Sequence, residues 1–242
     1  MAPSHSRAAV RGSTFVRLLA RLGEVDAGQP GGFLPDRLSQ WLSWTQSLAL
    51  SSALDGAVAP LPEGAEPGEA VTEASLAAAR AALVETLMDE PSWARARARA
   101  VSRAGAVEGE LDSRIEYSAF RERYLMMQRS IQGTTGKLRG ELRDQLAAAS
   151  PELARLAEVD AVMEGALSPR EQRLLGGVPA VLEARFEKAR KAAAEAQGTS
   201  GVWIDLFVRE MQDVLLAELD VRFQPLEGLL AALQSPSLVS HA

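Results

Sequence analysis

The chain has 242 residues, of which 47% are hydrophobic and 24% charged, with a formal net charge of −6. It contains no cysteine, which excludes disulfides, thiolate metal sites and cysteine nucleophiles. Its two histidines, His5 and His241, lie near opposite ends, so we expect neither a serine hydrolase triad nor an imidazole metal centre. The acidic balance argues against a protein that coats nucleic acid indiscriminately.

Composition and hydropathy both predict a helical, cytoplasmic protein. Aromatic residues make up only 5% of the chain, and no alternating apolar pattern lasts more than a few positions. No apolar run reaches the roughly 18 residues of a spanning helix, and the N-terminus lacks the apolar core of a signal peptide. We therefore predict an all-α fold, an elongated helical bundle with a long antiparallel helical hairpin as its spine.

The N-terminal part begins with a small, polar and basic stretch, residues 1–12, which we predict to be disordered. A short helix capped by Ser13 follows, and a second helix is predicted over about 33–54. The expected buried side of this second helix comprises Leu38, Trp41, Leu42, Leu48 and Leu54. Trp44 lies on a neighbouring face and is either a partner contact or a second core tryptophan, and the apolar helix favours the core.

A linker rich in proline, glycine and glutamate, residues 56–71, is the best domain boundary in the chain. It separates an N-terminal helical region, residues 13–55, from a main helical bundle, residues 72–234. The polar end, residues 235–242, is predicted to be a disordered tail.

A basic segment, residues 93–103, follows the first helix of the main bundle. Arg95, Arg99 and Arg103 fall at i, i+4 and i+8, which on a helix forms a stripe about 12 Å long. Such a stripe suits a phosphate backbone, with Trp93 available to stack on a base. It suits equally a contact with the acidic linker or solvent, and the acidity of the whole chain favours these.

The stretch from Tyr117 to Arg190 is the predicted spine. Phe120, Tyr124, Met127 and Ile131 step by three or four, which places them on one helical face. An unbroken helix to Ala148 would be about 48 Å long. Two glycines, Gly133 and Gly136, cost about 1 kcal/mol each inside a helix, which favours a break or a close helix crossing over a functional hinge.

Two Ser-Pro steps punctuate the spine. Ser150-Pro151-Glu152 predicts an N-cap and a second helix that folds back antiparallel on the first. Ser168-Pro169, with Glu171 three residues after the serine, resembles a capping box and predicts a third helix, in which Pro179 introduces a kink. Further on, a helix is predicted from about Trp203 to Asp220, and Pro225 is predicted to open a short last helix.

The residues offer little chemistry. Asp160 and Glu164, four apart on one helix, could hold a cation, but no partner set accompanies them and a solvated acidic face is favoured. The stretch from Gly133 to Lys137 lacks the preceding strand and the spacing of a phosphate-binding loop. We therefore predict no catalytic residue, no cofactor, no metal and no small-molecule substrate. The candidate partner interface comprises Trp44, Tyr124, Met127, Ile131 and Trp203.

Four segments of the chain resemble one uncharacterised proteobacterial family of helical proteins. They are residues 33–54 (FLPDRLSQWLSWTQSLALSSAL), 117–128 (YSAFRERYLMMQ), 150–167 (SPELARLAEVDAVMEGAL) and 215–233 (LLAELDVRFQPLEGLLAAL). Members of that family are encoded beside proteins similar to MotA and OmpA/MotB, in a proposed Zorya-like (type III) antiphage defence system. The resemblance transfers no catalytic residue.

The resemblance implies a non-enzymatic, cytoplasmic accessory or scaffold subunit of a multi-protein complex. Its partners would be other protein subunits, in a homo-oligomer or a hetero-complex, and it would reach the membrane only through them. The alternative is a nucleic-acid-binding effector subunit of the same system, with DNA as the candidate ligand, that uses the basic helix of residues 93–103.

Overall fold

A computed structural model describes residues 13–23, 41–55, 70–103, 115–196 and 201–235. All regular secondary structure in these ranges is α-helical, which confirms the predicted fold class. The helices are α1 (Thr14–Leu22), α2 (Trp44–Asp55), α3 (Glu73–Leu87), α4 (Glu90–Arg103), α5 (Ser118–Ala149), α6 (Pro151–Leu175), α7 (Val178–Ala196) and α8 (Val202–Gln234). The two histidines, Leu38, residues 1–12 and most of the predicted linker and tail lie outside the described residues.

Helix α5 runs without interruption over nearly the predicted extent, about 48 Å. The break or close crossing expected at Gly133 and Gly136 was wrong, because the helix is continuous and a Cβ at either position would meet nothing within 4 Å. The apolar face continues on both sides of the glycines, with Ile131 and Leu142 fully buried. Burial of this face outweighs the roughly 2 kcal/mol of unfavourable glycine propensity.

The hairpin of α5 and α6 forms as the sequence predicts. Ser150 caps α6, since its Oγ accepts a hydrogen bond from the Leu153 N–H at 3.2 Å, and Pro151 occupies the first turn. Ion pairs join residues equally far from this turn, such as Arg139 and Asp160. The two helices therefore pack antiparallel.

Three predictions made from proline were wrong. Helix α6 continues through Ser168-Pro169, and α8 continues through Pro225 to its end at Gln234. Pro179 lies in the first turn of α7, where it introduces no kink, because the chain turns earlier, at Gly176-Gly177. A proline removes one helical hydrogen bond, and the buried neighbours Phe223 and Leu226 hold α8 together on either side of Pro225.

Helix α8 is the central helix of the described bundle. Fifteen of its residues are buried, and it contacts α1, α3, α5 and α7. An aromatic cluster closes one end of the core, where the rings of Phe186 and Phe207 lie 5.1 Å apart beside Phe120, Tyr117 and Trp203. The predicted spine therefore packs around α8, which runs 14 residues beyond its predicted end at Asp220.

The two N-terminal helices pack on this bundle at different places. Helix α1 inserts Phe15 and Leu22 into the same hydrophobic core as α8. Helix α2 lies against α6 instead. None of the described helices is long and apolar enough to cross a bilayer.

Candidate functional site

Helix α2 exposes a large aromatic side chain. Trp44 is 84% exposed and Leu48, one turn later, is 58% exposed, while Ala53 faces inward. The favoured assignment of Trp44 to the core was therefore wrong, as was the predicted burial of Leu48 and Leu54. The helix is apolar on several faces, and packing against α6 covers only one of them.

The same helix carries one charged residue, Asp55, at its C-terminal end. The sequence from Trp41 to Leu54 contains no acidic or basic residue, and its polar positions are mostly serine. Trp41 is half-buried just before α2, with the Arg170 guanidinium 4.4 Å from the centroid of one of its rings. An exposed tryptophan on a helix face with few charges shares two features with the centre of a protein interface, which is enriched in aromatic residues and depleted in charged ones.

The other residues predicted for the partner interface lie inside the chain. Tyr124, Met127, Ile131 and Trp203 are all buried in the core around α8. Their assignment to a partner surface was wrong, because the apolar stripe of α5 that carries three of them packs against helices of the same chain. Of the five predicted residues, only Trp44 is accessible.

The basic helix α4 keeps part of its predicted surface. Arg95 is 68% exposed and donates to Ser92 Oγ at 2.8 Å, and Arg99 is also exposed. The side chain of Arg103 lies outside the described residues. Two of the three arginines are thus placed at the surface of α4.

Trp93 does not accompany them, and its predicted role in base stacking was wrong. Its ring is fully buried, and its Nε1 donates to the carbonyl of Leu87 at 2.7 Å. The guanidinium of Arg123 covers one of its rings at 5.5 Å. The indole therefore joins α4 to α3 and α5.

The two carboxylates considered for a cation are held by arginines. Arg139 donates from Nε and Nη2 to the Asp160 carboxylate at 2.8 and 2.6 Å, and Arg143 Nη1 lies 2.6 Å from a carboxylate oxygen of Glu164. Burial disfavours the charged form of Arg139, but the hydrogen bond to Asp160 and the charge of Asp160 outweigh the effect of burial, so the pKa of Arg139 is raised. Both the cation site and the solvated acidic face were wrong, and no group of metal-binding side chains occurs among the described residues.

A second polar cluster surrounds Glu218, which is 1% exposed in the middle of α8. Tyr124 and Gln128 of α5 donate to its Oε2 at 3.2 and 3.1 Å, and Arg222 Nε donates to its Oε1 at 2.9 Å. Arg222 also pairs with Glu171 of α6 at 2.9 Å. Burial and the charge of Glu218 raise the pKa of Tyr124.

A polar cleft of about 530 Å³ lies between these two clusters, among α5, α6 and α8. Its charged lining residues are Arg139, Glu164, Glu171 and Arg222. Each of them already forms an ion pair within the chain. The cleft therefore presents balanced charge, and its geometry suits a structural role better than recognition of a charged ligand.

A family model described as "Protein of unknown function (DUF3348)" matches residues 1–235. The chain belongs to the DUF3348 family. Comparison with curated proteins and with solved structures finds no match. The family match includes all eight described helices of this DUF3348 chain, so it covers the surface of α2 and both polar clusters.

Sequence reasoning missed the two polar clusters of this DUF3348 chain, the buried one around Glu218 and the partly buried one around Asp160. One signal was present, because Glu218 falls on the apolar face of α8 and stands four residues before Arg222, at salt-bridge spacing. Arg139 and Arg143 likewise repeat at i and i+4, as do Asp160 and Glu164. Periodicity shows that each pair shares a face, but not that the two faces meet.

Proposed function

We propose that this DUF3348 protein is a non-enzymatic scaffold subunit of a multi-protein complex. It docks on other protein subunits through the outer face of α2. The observation that carries the proposal is the exposure of Trp44 and Leu48 on a helix whose one charged residue, Asp55, is its last. Covering the part of this face around Trp44 and Leu48 removes apolar area from water, at about 25 cal/mol per Å², without desolvating a charged group.

The resemblance of four segments to the proteobacterial family described above suggests the partners. We propose that the complex is coupled to a MotA/MotB-like membrane motor in antiphage defence. In this proposal the chain is cytoplasmic and is brought to the membrane by the motor subunits. Its own contribution is a rigid helical body that presents α2.

Co-purification tests the docking surface. The tagged chain is co-expressed with the MotA-like and OmpA/MotB-like proteins, and captured subunits are quantified for wild type and for Trp44→Ala/Leu48→Ser. We expect the variant to lose about tenfold or more of the captured subunits, because interface tryptophans carry a large share of binding energy.

The matched control is Val202→Ala/Leu206→Ser on α8, where two exposed apolar residues are also four apart. This control should capture partners as the wild type does. Equal capture by the α2 variant and the wild type would overturn docking through α2.

The nucleic-acid alternative is supported only by the exposure of Arg95 and Arg99. It is tested by measuring DNA binding of the purified chain at two salt concentrations, for wild type and for Arg95→Ala/Arg99→Ala/Arg103→Ala. The scaffold proposal expects weak binding that the substitutions do not change. Salt-sensitive binding that is lost in the triple variant would favour the DNA-binding function instead.

A further inference from the structure

We infer that the outer face of α2 binds a second copy of this chain, with the two α2 helices antiparallel about a two-fold axis. The inference rests on the proposed function, because it takes α2 to be a docking surface. It makes a second copy of this chain the subunit that α2 binds directly, and the other subunits then assemble on the dimer. The face in question, called here the α2 stripe, consists of Trp44, Leu48, Ser51, Ser52 and Asp55. These residues follow one another at i, i+4, i+7, i+8 and i+11, and all are exposed.

The shape of the α2 stripe is complementary to itself only in the antiparallel direction. Its first residue is the largest side chain, its middle residue is Leu48, and its second half carries the small Ser51 and Ser52. A two-fold axis at Leu48 places Trp44 of one copy opposite Ser52 of the other, so that a large side chain meets small ones. A two-fold contact makes this pairing twice.

The charges at the ends of the α2 stripe agree with this register. The N-terminal end lies beside Arg170, whose guanidinium is over Trp41. The C-terminal end is the exposed carboxylate of Asp55, which accepts a hydrogen bond from Ser51 Oγ at 3.3 Å. A two-fold axis at Leu48 brings the N-terminal end of one α2, beside which Arg170 lies, towards the C-terminal end of the other, which carries Asp55.

The α2 stripe faces away from α6. The described packing of α2 is against α6, and Ala53 is buried while Trp44 and Leu48 stay exposed. Each chain carries a net charge of −6, so two copies repel one another in general. Asp55 is the one charged residue of the α2 stripe, and the antiparallel register brings it towards Arg170 of the other copy, so two copies can meet here without like charges in contact.

A cysteine cross-link tests the register directly. The chain has no cysteine, so Leu48→Cys introduces a single thiol at the proposed axis. The two Cβ atoms would lie within the roughly 3.5–4.5 Å that a disulfide needs. We expect mild oxidation to convert this variant to a covalent dimer of twice 25.9 kDa on a non-reducing gel. Leu206→Cys on α8 is the control, and cross-linking of Leu48→Cys no faster than this control would overturn the inference.

Charge reversal at Asp55 and Arg170 tests whether these two residues pair between copies at the ends of the α2 stripe. Light scattering of the wild-type chain at micromolar concentration should give the mass of two copies. Asp55→Arg and Arg170→Asp should each weaken self-association by about five- to twentyfold, because a two-fold dimer contains the pair twice. The double variant should restore it. Single variants that dimerise as wild type does, or a double variant weaker than both, would overturn the register.

Two outcomes separate this inference from the proposed function. A monomeric wild-type chain that still captures other subunits through Trp44 would overturn the dimer and leave docking through α2 intact. A Trp44→Ala/Leu48→Ser variant that loses self-association but captures subunits normally would support the dimer and place those subunits elsewhere. Circular dichroism and thermal unfolding of each variant establish that the monomer still folds.

Discussion

The buried carboxylate of Glu218 accepts a hydrogen bond from the Tyr124 hydroxyl and is closed off from water by α5, α6 and α8. Gln128 and Arg222 donate the other hydrogen bonds to its two oxygens. A buried charge is tolerated at this depth because it is paired and hydrogen-bonded, and removal of one partner leaves the others without compensation. Stability at the residue scale is therefore most sensitive to these few polar atoms.

Replacement of Glu218 by glutamine tests this sensitivity. The substitution preserves shape but removes the charge that Arg222 faces, so we expect the free energy of unfolding to fall by about 2–4 kcal/mol. Urea denaturation measures the change. Glu227→Gln, which breaks an exposed pair with Arg80, is the control and should cost less than about 1 kcal/mol. Similar losses in both variants would contradict a special role for the buried carboxylate.

The burial of the two tyrosines of the chain predicts that the folded state loses stability at alkaline pH. Burial raises the pKa of Tyr117, and burial with the charge of Glu218 raises the pKa of Tyr124. Because both pKa values are higher in the folded state, their stabilising contribution is complete below the unfolded pKa of about 10 and is lost as the pH rises above it. Each tyrosine then lowers the free energy of unfolding by about 1.4 kcal/mol per pH unit.

Absorbance near 295 nm measures tyrosinate directly. In the folded chain it should stay low above pH 10 and rise together with the loss of helical circular dichroism. The chain in guanidinium chloride, as a control, should titrate near pH 10. Ionisation near pH 10 with the helices intact would contradict the burial of these hydroxyls.

At the scale of elements, α5 and α8 show local propensity overruled by packing. Gly133 and Gly136 remain helical because the stripe on either side of them is buried, and Pro225 remains helical because α8 is the helix on which α1, α3, α5 and α7 pack. The bundle therefore contains locally unfavourable residues whose replacement is expected to stabilise it.

Gly133→Ala and Gly136→Ala should each stabilise the chain by about 0.5–1 kcal/mol. Neither new methyl group meets an atom within 4 Å, and alanine reduces the freedom of the unfolded chain. Gly201→Ala is the opposite control, because Gly201 has φ of 101° at the start of α8 and should lose about 1 kcal/mol or more. Thermal or urea unfolding measures all three, and destabilisation by both α5 substitutions would indicate that the glycines serve a packing or functional contact.

At the scale of the whole molecule, α1 belongs to the same core as the helices that follow residue 72. Phe15 and Leu22 are buried against that core, although the sequence between α1 and α3 contains the predicted domain boundary. Unfolding of α1 and of the main bundle should therefore be one cooperative event.

Phe15→Ala tests this cooperativity. We expect a loss of about 3 kcal/mol in the free energy of unfolding and a single transition seen by both circular dichroism and tryptophan fluorescence. Val16→Ala, at the exposed neighbouring position, should change stability by less than about 0.5 kcal/mol. Two separated transitions in the wild type would show instead that the N-terminal region unfolds independently.

The sequence by itself determined the features that depend on neighbouring residues. The helical class, the apolar face of α5 and the start of α6 at Ser150 follow from composition, from a stripe at helical spacing and from a cap next to a proline. These signals act within a few residues, so they survive in any tertiary context that buries the apolar stripe.

Only the tertiary structure decided which faces are covered and by what. The exposure of Trp44, the burial of Trp93, the helical state at Pro169 and Pro225 and the pairing of Glu218 with Tyr124 all depend on residues far away in sequence. Periodicity states that residues share a helical face, while contact between faces depends on how the helices pack. The free energy of that packing exceeds the local helix propensities of single residues, such as the prolines and glycines, on which predictions from sequence depend.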